Sequence, residues 1–72
     1  MKVNYYPETD SLYIELNEQP SAQSVEISEG VVLDDGTAAK LIGIDIDTAS
    51  TKVELNRLIL SKLPGAVETD AA

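Results

Sequence analysis

Cysteine, histidine, tryptophan and phenylalanine are all missing from this chain, and three tyrosines supply its whole aromatic surface. Without cysteine there is no disulfide and no thiolate metal site. Without histidine or cysteine nothing stands ready to activate a serine. No glycine-rich phosphate loop appears either. Carboxylates could do acid–base work alone, but they need a concave site, and 72 residues leave little material to build one. The expectation is a protein that is not an enzyme and that needs no cofactor and no metal.

Bases are also scarce. Five lysines and arginines stand against 13 acids, for a formal net charge of −8. Residues 1–51 hold ten acids against Lys2 and Lys40, whereas residues 52–72 are balanced. So acidic a surface repels phosphate backbones, which argues against direct nucleic-acid binding. It suits a small basic protein partner, or simply keeps the chain soluble. The amino terminus, MKVNYYPETD, has no apolar run of a signal peptide. No stretch approaches the ~20 apolar residues of a membrane span. With no cysteine, this reads as a cytoplasmic protein with no membrane contact.

What the chain does have is alternation. Val3 and Tyr5 alternate with polar neighbours, as do Leu12, Ile14 and Leu16, so two strands flank the turn residues Pro7–Ser11. Val25 to Ile46 is the centre of the pattern. Its strands meet at the turn signal Asp35-Gly36, and Ile42, Ile44 and Ile46 share a face. Between Val25 and Asp34 the alternation breaks at Glu29-Gly30. One bent strand carrying a bulge is the preferred reading, and a tight turn between two strands the alternative. Gly43 has no side chain to pack, so an aromatic ring or a helix is expected over it. Asn17–Ser24, which contains Pro20, reads as a polar loop or as the start of the third strand.

After Ile46 the period changes. Thr51-Lys52-Val53-Glu54 fits a capping box, which predicts a helix over 52–63 stopped by Pro64-Gly65. Leu55, Leu58, Ile59 and Leu63 fall on one stripe, with Val53 and Leu60 to its side. That arc is wider than one sheet face needs. Val53 and Leu60 are therefore candidate contacts with a second chain, or else the helix sinks into a concave sheet. Tyr6 and Tyr13 share the sheet's other face, as a contact patch or as a shield over it. The fold class expected is α+β: an antiparallel meander of four to five strands with one C-terminal helix packed on one face. Residues 1–63 form the domain and 64–72 a tail. So small a core favours self-association, here as a dimer through the helix or a sheet edge.

Two aspartate motifs invite chemistry. Asp45-x-Asp47 after an apolar strand resembles the opening of haloacid dehalogenase-type phosphotransferases, but 72 residues cannot build their doubly wound sheet. The same pair fails as an EF-hand, since position six is Ser50 and position twelve Asn56. Asp34-Asp35 reads as a turn rather than a calcium site.

A wider resemblance rests on Tyr6-Pro7-Glu8-Thr9-Asp10-Ser11-Leu12-Tyr13-Ile14-Glu15-Leu16, then Val25–Asp34, then Leu41-Ile42-Gly43-Ile44-Asp45-Ile46. Together these are similar to a family of short prokaryotic proteins, domain of unknown function 2283, over about residues 3–55. The resemblance implies a small sheet-plus-helix fold and no established activity. Relatives beside small basic proteins suspected as toxins imply an antitoxin-like role. Against an ordinary antitoxin, the chain has no helix-turn-helix and no basic arm. The functional expectation is a non-catalytic protein-binding module. The alternatives are a self-associating homodimer and a weak small-ligand or metal-ion binder.

Overall fold

A computed structural model describes residues 1–70 of the chain. It contains five strands: β1 (Lys2–Tyr6), β2 (Ser11–Glu15), β3 (Gln23–Ser28), β4 (Val31–Asp35) and β5 (Leu41–Ile46). A single 3₁₀ turn, Ala49–Thr51, follows β5. All five strands join one antiparallel sheet in the order β1-β2-β5-β4-β3.

That order is not a simple meander. β1–β2 is a hairpin, and β3–β4–β5 runs back so that β5 lies beside β2. The connection between β2 and β3 must therefore pass the ends of β5 and β4, a distance of ~14 Å across three strand spacings. Residues 16–22 reach that far with slack, at ~3.3 Å per residue. Their backbone is tied down on the way: Leu16 N donates to Ile42 O at 2.7 Å and Ala22 N to Asp35 O at 2.7 Å. The Asn17 side-chain amide donates to Leu41 O at 2.6 Å.

Residues 23–35 form two strands, not one bent strand. Gly30, at φ 69°, closes a tight turn that pairs Ser28 with Val31. A bulge is present too, but one strand earlier, between Glu26 and Ser28. Glycine accounts for the reversal: its left-handed φ is open to a residue without Cβ and costly to others.

The C-terminal helix expected over 52–63 is absent, and the α+β class gives way to a nearly all-β fold. No α-helix occurs among the described residues. Locally, Thr51 does not cap. Its hydroxyl donates back to Thr48 O at 2.8 Å, and Thr51 is the last residue of the 3₁₀ turn rather than the residue before a helix. Lys52, at φ −115°, ends the turn. An isolated helix of about a dozen residues is marginal without packing. The sheet surface nearest to it is already taken by Ala49 and Val53, which pack on Leu12 and Ile46. Leu58, Ile59, Leu60 and Leu63 are consequently exposed. The last two residues of the expected tail, 71–72, lie outside the described residues.

The core is thin. Leu12, Ile46 and Ala49 form its centre, with Val31, Ile44 and Val53 packed against them. Ile42 is buried at the other end of β5, where its side chain reaches Gly36 in the β4–β5 turn.

That turn carries an unusual load. Lys40 N donates to Thr37 O at 3.2 Å, and the two residues between are Ala38 at φ 57° and Ala39 at φ 59°. Two successive left-handed residues are what a type I′ hairpin needs, and Asn-Gly is its preferred occupant. Alanine in this region costs about 1–2 kcal/mol per residue. Replacing Ala38→Asn together with Ala39→Gly should raise stability by about 1–2 kcal/mol, or roughly 5–10 °C in Tm for a domain of this size. Thermal and urea unfolding of the double variant check this; an unchanged midpoint would show that the alanines carry no strain.

Candidate functional site

Strand register divides the side chains cleanly between two faces. On one face the cross-strand rows are Tyr5-Leu12-Ile46-Val31 and Val3-Ile14-Ile44-Leu33-Val25. Neither row carries a formal charge. On the opposite face the rows are Asn4-Tyr13-Asp45-Val32-Glu26 and Lys2-Glu15-Gly43-Asp34-Ser24. Four carboxylates share these rows with one base.

The acidic face is organised by Tyr13. Its ring lies across Gly43 on the neighbouring strand, where any Cβ would collide with the ring and hydroxyl. The Tyr13 hydroxyl donates to Asp34 Oδ2 at 3.0 Å, bridging β5 to reach β4. Ser24 Oγ donates to the other Asp34 oxygen at 2.6 Å, so one carboxylate ties β2, β4 and β3 together. Burial, then the Asp34 hydrogen bond and the charges of Asp34, Glu15 and Asp45, push the Tyr13 phenol above its ordinary pKa. Asp45 is also raised, first by burial and then by Asp47 and Asp34. In both, burial leads and the neighbouring carboxylates add to it.

Tyr6 lies diagonal to Tyr13, opposite Ser11, and is 52% exposed. Tyr6, Thr9, Ser11, Tyr13 and Asp45 line a shallow open groove. The structure thus brings two of the candidate contacts, Tyr6 and Tyr13, to one place. It separates the other two. Val53 is half-buried against the core on the opposite face, and Leu60 is 46% exposed in the segment after the 3₁₀ turn. Of the expected cover for Gly43, the aromatic ring is what is found.

A second polar cluster escaped the sequence reading. Asp10, at φ 52°, ends the β1–β2 turn and holds the residues after β5. Its backbone oxygen accepts Ala49 N at 2.8 Å. Its carboxylate accepts Ser50 N at 3.1 Å, Ser50 Oγ at 2.6 Å and the Tyr5 hydroxyl at 2.8 Å. The hydrogen bond from Ser50, then that from Tyr5, hold the Asp10 carboxyl below its usual pKa. The same bond raises the Tyr5 phenol. This latch seats Ala49 over Leu12 and Ile46. A signal for it existed: Tyr5 falls on the inward face, and a partly covered tyrosine hydroxyl needs a partner.

Among the described residues no three His, Cys, Asp or Glu side chains are placed to hold a metal ion. Nor is any helix there long and apolar enough to cross a membrane.

A small antiparallel sheet, acidic on one side, apolar on the other and latched at one end by Asp10, is the class of protein defined here. The chain belongs to the family described as protein of unknown function (DUF2283), whose model matches residues 2–50. The match ends at Ser50, the residue that the Asp10 latch grips. No curated protein and no solved structure matches the chain.

Proposed function

We propose that this chain is a non-catalytic binding module whose acidic, tyrosine-bearing face engages a basic protein, in the manner of an antitoxin neutralising its partner. The observation that carries this reading is the sorting of charge. Glu15, Glu26, Asp34 and Asp45 gather on one face around Tyr6 and Tyr13, with Lys2 as the one base in those rows. A partner lysine or arginine would find a carboxylate at Asp45 and the π-face of Tyr6 within the same groove. Exposed tyrosines of this sort are enriched at interfaces. A basic partner would also relieve the repulsion among Asp45, Asp47 and Asp34.

The test is calorimetric titration with an oligo-lysine/arginine peptide. Binding is expected to weaken as salt rises from about 50 to 300 mM. It should fall about tenfold or more in Tyr6→Ala and in Asp45→Asn. Binding that is absent in the unaltered chain, or undiminished in both variants, rejects the reading.

A second reading, a self-associating homodimer, has one observation in its favour. The 3₁₀ turn covers one end of the apolar face and leaves Val3 48% and Val25 42% exposed.

A further inference from the structure

We infer that residues 57–61 form a strap that closes along the free edge of β3 as a sixth, antiparallel strand. Two loose ends of the molecule meet in this inference. β3 is the last strand on its side of the sheet and pairs with β4 alone, so one line of its backbone donors and acceptors is open. Such an edge invites another strand unless something covers it. Residues 57–61 are the other loose end. They carry no helix, strand or turn, and Leu58 and Ile59 are 66% and 64% exposed. Among the described residues, no backbone hydrogen bond ties them to the sheet. A run of exposed aliphatic side chains of this kind marks a segment that packs against something.

Place, pattern and charge together select this segment for that edge. Lys52 Nζ donates to Asp47 O at 2.6 Å and lies over Gly30, in the turn where β3 ends. The chain therefore leaves the core near the end of β3, and a return along that strand is antiparallel to it. Arg57 lies five residues past Lys52 and Glu26 four before Gly30, so the two come about level. With Arg57 beside Glu26, antiparallel pairing sets Leu58 beside Val25. Val25 ends the apolar row Val3-Ile14-Ile44-Leu33-Val25, and Glu26 ends an acidic one. Leu58 lengthens the first row and Arg57 answers the second, and such cross-strand pairs are what hold an added strand. Residues 55–67 hold Arg57 and Lys62 and no acid, in a chain of net charge −8. The β3 of a second copy would instead set Glu26 against Glu26. A free strand of another protein lacks the tether, which holds the strap at an effective concentration in the ~mM range. Closure ends at Lys62, whose φ of 58° takes the chain out of the extended region.

Solution NMR of the full chain tests this. Nuclear Overhauser contacts are expected between the methyl groups of Leu58 and Val25. The amides of residues 57–61 should exchange with solvent about tenfold or more slowly than those of residues 65–70. Leu58→Pro removes an N–H from the strap without touching the core, and should abolish both signals. Arg57→Glu should cut the protection about threefold or more, and Glu26→Arg in the same chain should restore it, since the swap rebuilds the pair with its charges exchanged. Exchange at unstructured rates throughout residues 57–61 overturns the strap. So do protection that ignores the charge swap and Leu58 contacts that run to Ile14 or Ile44 rather than Val25, because the segment then lies on the sheet's face and not along its edge. Contacts seen only between isotope-labelled and unlabelled copies in a mixture place the strand on a neighbouring molecule and overturn it too.

Discussion

Gly43→Ala is expected to destabilise the protein by about 2–3 kcal/mol, the usual range for forcing an extra group into a filled site. In a domain of this size that lowers Tm by roughly 10–20 °C. It could consume most of the ~3–5 kcal/mol that so small a core supplies. The added methyl would strike the Tyr13 ring on one side and sit 3.0 Å from Ile14 O on the other. The ring is the only one of these neighbours able to swing away. Doing so would break the Tyr13–Asp34 hydrogen bond and uncover the centre of the acidic face. The effect should therefore depend on Tyr13. In a Tyr13→Ala background, Gly43→Ala should cost less than about 1 kcal/mol, because the crowding is then reduced to the carbonyl contact. Urea unfolding of the four proteins closes the cycle. Equal costs with and without the ring would mean that the carbonyl, not Tyr13, is the obstacle.

The same pair shows how much of this fold was legible in advance. Period-2 alternation located β1, β2 and the core-facing isoleucines of β5, and Gly43 called for a bulky cover without deciding between a ring and a helix. The missing information was the strand order. Once β5 lies between β2 and β4, Tyr13 and Gly43 occupy adjacent strands, and no local pattern encodes that adjacency. The helix failed for a related reason. Thr51-Lys52-Val53-Glu54 and the stripe behind it state a local preference, but a helix of that length needs a surface to rest on. Ala49 and Val53 had already taken that surface, an arrangement set by Asp10 about 40 residues away in sequence. The left-handed alanines were illegible outright, since the turn signal at Asp35-Gly36 pointed three residues too early and alanine signals nothing. Of the candidate contacts, Tyr6 and Tyr13 could be put on one face from alternation alone. Val53 and Leu60 were joined only by a helical period that does not exist here.

Asp10 and Asp45 should answer to pH with opposite signs, and the contrast separates the latch from the acidic face. The folded state holds the Asp10 carboxyl below its ordinary pKa, through Ser50 and then Tyr5. Its stabilising contribution is therefore complete above the unfolded carboxylate value of about 3.9 and is lost as pH falls through the lower folded value. Asp10→Ala removes the acceptor of three hydrogen bonds and frees the turn that seats Ala49. It should lower Tm by roughly 5–10 °C at pH 7, a deficit that narrows as pH falls through the lowered folded value but does not vanish, because alanine at φ 52° keeps a strain that does not titrate. Asp45 behaves in reverse. Burial, Asp47 and Asp34 raise its folded pKa, so its ionisation disfavours the fold once pH climbs past the unfolded value. Asp45→Asn should leave Tm unchanged near pH 3 and raise it at pH 7, while the same substitution weakens the oligo-lysine/arginine complex. A residue that stabilises when neutralised yet weakens binding is kept charged for the partner's sake and not for the fold's. Parallel melting curves for both variants between about pH 2 and 8 decide the matter. If Asp45→Asn destabilises at pH 7, the carboxylate serves the sheet itself, and the acidic face loses its strongest claim to be a docking surface.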